Sequence, residues 1–67
     1  MTSDEITSLE RNILNIAIGK LNFVSRNGSG DSLTEEEIIV FKYWLKKGKI
    51  HAVENSRFGE IYELLDS

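Results

Sequence analysis

Apolar residues recur every three or four positions across the first two dozen residues. Ile6, Leu9, Ile13, Ile16, Ala17, Leu21 and Val24 fall on one side of a helical wheel. Thr7, Ser8, Arg11, Asn12, Asn15, Gly19 and Asn22 fall on the other. That spacing predicts an amphipathic helix over about 3–24. Leu14 and Ile18 widen its apolar side, as suits the long central helix of a small bundle. Thr2 is the expected cap, with Glu5 three residues on and Met1 and Ile6 as a hydrophobic staple. Gly19 is a weak point, costing about 1 kcal/mol against alanine inside a helix.

A second helix is predicted over 35–47. Leu33, Thr34, Glu37 and Ile38 have the order of a staple and capping box together. Three glutamates stand at the positive end of the helix dipole, and Lys46 and Lys47 at its negative end. Gly48 follows as a left-handed stop. Ile38, Phe41, Trp44 and Leu45 form one apolar face, assigned to an internal core. Ile39, Val40 and Tyr43 point elsewhere, and Ile39 and Tyr43, four apart, share a side. A helix apolar on two sides is either sandwiched between elements or meets a partner.

A third helix is predicted over 56–65, capped by Asn55, with Phe58, Ile61, Tyr62 and Leu65 as its stripe. The segment GKIHAVEN before it reads as extended chain or as a short extra turn at 49–54. The fold class expected is therefore all-α: a three-helix bundle forming one domain, 1–67.

Size sharpens this picture. A chain of 67 residues buries only about 60% of the surface it exposes when unfolded, so its core is small. Chains of this size often add a disulfide, a metal or a partner subunit. Cysteine is absent, which removes disulfides and thiolate sites and fits a reducing compartment. The opening MTSDEITSLE lacks the basic-then-apolar order of a secretory leader. The longest apolar run, IIVF, falls far short of the roughly 18 residues of a membrane span. A soluble cytoplasmic protein is expected, with no membrane partner.

Charge is unevenly spread. The net charge is −3, yet residues 38–50 carry Lys42, Lys46, Lys47 and Lys49 with no acid. A helix-turn-helix DNA regulator is one alternative, with these lysines on phosphates. Its recognition helix would carry Glu54, Glu60, Glu63 and Asp66 against a single Arg57. Phosphates would repel it, so nucleic acid is not the expected partner.

Residues 25–37, SRNGSGDSLTEEE, raise a second alternative, a degenerate EF-hand-like calcium-responsive module. An EF-hand loop wants acidic or amide ligands at its first, third and fifth positions, glycine at the sixth and glutamate at the twelfth. With Gly30 sixth, these are Ser25, Asn27, Ser29 and Glu36. Serine brings no charge to the first position, and Ser32 stands where an apolar residue belongs. The plainer reading is an inter-helix loop, with Asn27-Gly28 and Ser29-Gly30 as turn dipeptides.

Little else suggests chemistry. His51 is the only histidine, with Glu54 as its nearest acidic neighbour in sequence on the C-terminal side. No nucleophile elbow or phosphate loop is present. No catalytic residue, metal ligand or cofactor is assigned. The expected function is a small regulatory, adaptor or inhibitor protein, acting on another protein or as a homodimer. Its contact patch is Ile39, Val40 and Tyr43, rimmed by Lys42, Lys46 and Lys47.

Overall fold

The computed structural model describes residues 6–65. Helix α1 runs Ser8–Asn27 and helix α2 Glu35–Lys46. Strand β1 runs Ile50–Ser56 and strand β2 Gly59–Leu64, paired as an antiparallel hairpin. The protein is therefore α+β, and the all-α three-helix bundle is corrected. Strand replaces the helix expected at 56–65, and over 49–54 the extended alternative holds in place of the short extra turn.

The physical reason is a coincidence of spacing. Phe58, Ile61, Tyr62 and Leu65 lie three or four apart and imitate a helical stripe. The hairpin residues on the main core are instead Ile50 on β1 and, on β2, Leu64 opposite it and Tyr62 two residues before; Ile61 is buried outside that cluster and Ala52 is exposed. The turn also hid itself. Arg57 and Phe58 connect the strands without a left-handed residue, so the Asn-Gly or Asp-Gly signal of most two-residue hairpins is absent. A bulge between Ala52 and Glu54 leaves Val53 outside the pairing and breaks the alternation.

Helix α1 begins at a capping box one signature later than expected. The hydroxyl oxygen of Thr7 accepts the Glu10 N–H at 3.1 Å, and a Glu10 carboxylate oxygen accepts the Thr7 N–H at 3.2 Å. The expected cap of Thr2, Glu5 and Met1 lies outside the described residues. Gly28 ends the helix at φ 85°, donating its N–H to the Val24 carbonyl at 2.7 Å. The buried face consists of Leu14, Ala17, Ile18 and Ser25. Leu9 and Ile16, expected on that face, are 68% and 52% exposed. Helix α1 has two apolar stripes, and periodicity alone does not say which one meets the core.

Helix α2 matches its sequence signals. Thr34 accepts the Glu37 N–H at 3.2 Å, and Glu37 accepts the Thr34 N–H at 2.9 Å. At the other end Lys49 N–H reaches the Trp44 carbonyl and Gly48 N–H the Leu45 carbonyl, with Gly48 at φ 87°. These two bonds are a Schellman motif, and they turn the chain into β1. Phe41 and Trp44 join Leu14, Ala17, Ile18 and Ile50 in the core. The Tyr62 ring meets Phe41 edge-on at 5.5 Å.

The hairpin docks on α1 through polar atoms. The Asn22 side-chain amide donates to the Tyr62 carbonyl at 3.1 Å and accepts the Tyr62 N–H at 2.8 Å. Ser25 donates its hydroxyl to the Glu60 carbonyl at 2.9 Å, and its own carbonyl accepts the Phe58 N–H at 2.9 Å. Gly59 allows this approach, because a Cβ there would stand 2.9 Å from the Ser25 hydroxyl oxygen.

Candidate functional site

The expected contact patch is only partly assembled. Ile39 is 64% and Tyr43 43% exposed on α2. Val40, the third member, turns inward and packs against the core. Lys42 and Lys46 are exposed. The Lys47 ammonium lies 5.5 Å from the centre of the Tyr43 ring, a cation–π distance. The Tyr43 ring also stands edge-on to Trp44 at 4.9 Å.

The larger feature lies elsewhere on α2. A cleft of about 750 Å³ opens between α2, the C-terminal half of α1 and the connecting loop. Its apolar walls are Leu21 and Val24 from α1, Leu33 from the loop, and Ile38, Phe41 and Leu45 from α2. Lys42 and Asp31 supply its charged edges. Ile38 and Leu45, read from the sequence as core, are instead more than a third exposed. Their seven-residue spacing places them together, beside the line of Phe41 and Trp44, and that offset was the available signal.

Two local contacts join the walls of the cleft. The loop leans on α1: a Cβ at Gly30 would meet Phe23 Cδ1 at 2.9 Å and Val24 Cγ2 at 3.0 Å. Lys20 then fastens α1 to the start of α2, its ammonium donating to Glu37 Oε1 at 2.9 Å and to the Ser32 carbonyl at 3.4 Å. The Glu37 carboxyl is held below its ordinary value of 4.5, first by the Thr34 N–H and then by Lys20.

The calcium reading meets a different geometry. Ser25 and Asn27, its first two ligands, belong to α1. The Ser25 hydroxyl is engaged with Glu60, and Asn27 donates to the Phe23 carbonyl at 3.0 Å. Glu36 stands in the first turn of α2. Among the described residues no three His, Asp or Glu side chains gather as a metal would require. His51 contacts the Gly48 carbonyl at 2.8 Å through Nε2. The helix-turn-helix reading needs a second helix after α2, and β1 and β2 occupy that stretch.

The sequence placed Asn22 on the polar side of α1 and Ser25 first in the calcium loop; in the structure both instead fasten the hairpin. Among the described residues no helix is long and apolar enough to cross a membrane. No protein family, curated protein or solved structure matches the chain.

Proposed function

We propose that this chain is a non-enzymatic regulatory or adaptor protein that binds an amphipathic, acidic segment of another protein along α2. The observation that carries the reading is the apolar cleft of about 750 Å³ with Lys42 on its edge. Volumes of about 300–1,000 Å³ are typical of sites that enclose a ligand. An amphipathic helix fits an apolar groove through side chains three, four and seven apart. Lys42 and Lys46 on the solvent side of α2 favour acidic residues flanking those anchors, which adds specificity and speeds encounter. Ile39 and Tyr43 extend the contact area round the helix. The reading includes a cytoplasmic location, which the absence of cysteine supports.

The test uses amide chemical shifts of the full chain titrated with an amphipathic helical peptide of leucine and glutamate. Shifts that saturate at Leu21, Val24, Ile38 and Leu45, and weaken about tenfold (1.4 kcal/mol) in Lys42→Glu, are expected. No shifts, or equal shifts with the leucine-lysine counterpart, would overturn the proposal.

A further inference from the structure

Seven apolar residues are buried among the described residues, yet ten large ones stay exposed. Three of the ten belong to one line on α1. Leu9, Ile16 and Phe23 are 68%, 52% and 55% exposed and seven residues apart. We propose that this stripe is the interface between two copies of this chain, paired antiparallel about a two-fold axis at Ile16. None of the three residues lines the cleft, although Phe23 touches Gly30 of the cleft's loop.

The spacing carries the choice of occupant. A two-fold interface uses the same patch on both copies, so the patch must be complementary to itself. A stripe with equal arms of seven residues satisfies this. Ile16 meets Ile16 of the second copy, and Leu9 meets Phe23 of the second copy. A seven-residue repeat also keeps two helices in contact as they wind left-handedly around each other.

Gly19 gives a second, separate observation. It sits inside α1 on the edge of the stripe, and a Cβ there would touch nothing within 4 Å. Among the described residues no contact accounts for a glycine in mid-helix. In the antiparallel pair Gly19 faces Asn12 of the second copy, and the missing side chain lets the two backbones approach. Ile13 lies along the aliphatic stem of Lys20 of the second copy. Lys20 is the charged residue on this side of the helix between Leu9 and Phe23, and its ammonium is already paired with Glu37. Association therefore brings no unpaired like charges together.

The three side chains expose roughly 350 Å² per copy, the size of the largest apolar patch on a typical monomer. Two such stripes supply about 700 Å² of the ~1,000 Å² that a specific interface needs, and contact through the flanking Asn12, Ile13, Gly19 and Lys20 is required for the rest.

Light scattering across a concentration series measures the mass, and crosslinking measures the register. Ile16→Asp is expected to give a monomer with unchanged helix content, whereas Ile39→Asp on α2 stays dimeric. The natural chain has no cysteine, so single-cysteine variants report cleanly. Under mild oxidation Ile16→Cys is expected to form disulfide-linked dimers at least tenfold faster than Leu9→Cys or Phe23→Cys. A monomer up to millimolar concentration would overturn the proposal. So would a dimer broken by Ile39→Asp but not by Ile16→Asp, or equal crosslinking at all three positions, which marks a parallel pair.

Discussion

The two edges of the hairpin are treated differently. The outer edge of β2 is held at two residues: Asn22 holds both backbone groups of Tyr62, and Ser25 holds the Glu60 carbonyl. Ala52 lies opposite Tyr62, so its own N–H and C=O face outward on the other edge, as in any non-hydrogen-bonded antiparallel pair. Among the described residues nothing reaches them. Protection there comes from exposed polar side chains, His51, Glu54 and Asn55, and from the bulge at Val53. Such features discourage pairing with a stray strand. The contrast shows that a helix can do the work of a third strand. A lone two-stranded hairpin is marginal in water, and here two helix side chains bond three backbone groups on one side of its ladder.

The largest test removes the Asn22 contact. Asn22→Leu leaves the Tyr62 N–H and C=O without partners against an apolar neighbour. At about 1–3 kcal/mol for each stranded group, a loss of roughly 3 kcal/mol is expected in urea unfolding. Amide exchange should follow: Tyr62 exchanges slowly in the natural chain and quickly in the variant, while Ala52 exchanges quickly in both. Equal protection of Tyr62 and Ala52 in the natural chain would abolish the contrast.

A middle-sized effect is expected where the turn meets the helix. Gly59→Ala pushes a methyl against the Ser25 hydroxyl and should cost about 1–2 kcal/mol, in the range of other overpacked contacts. Ser25→Ala in the same chain relieves that clash while losing the bond to Glu60. The two changes together should therefore cost less than their sum. Strict additivity in the four-variant cycle would mean that the two groups do not touch.

The smallest effect belongs to the start of α2, and serves as a control. Glu37 is ionised in the folded chain at pH values where the unfolded chain has taken up a proton. The unfolded state then binds more protons, so stability rises with pH through that window. The contribution is complete above the ordinary value of 4.5 and lost as pH falls through the folded value. Glu37→Gln should flatten this acid dependence and leave Tyr62 exchange unchanged. An undiminished acid slope in the variant would assign it to other carboxylates.

These regions also differ in how far the sequence revealed them. The start of α2 was legible because its signals are local: Thr34 and Glu37 are three residues apart, and Gly48 follows the lysines directly. The rotation of α1 was not, because two apolar stripes compete for one core and only the packing of α2 and the hairpin decides between them. The hairpin was least legible, since a turn without a left-handed residue and a bulge removed both of its usual marks. For the site, Ile39 and Tyr43 were found as exposed positions, while Ile38 and Leu45 were assigned inward. Sequence shows that a helix has more apolar residues than one neighbour can cover. It does not show on which flank the neighbour stops.

The bond between Asn22 and Tyr62 also sets an order of events. It joins residues 40 apart in sequence, whereas each helix cap closes over three. Closing a long loop costs chain entropy before any contact repays it. The helices are thus expected to form early and the sheet last. As the chain leaves the ribosome, α1 and α2 emerge first, and Asn22 waits with its amide in water until the final strand arrives.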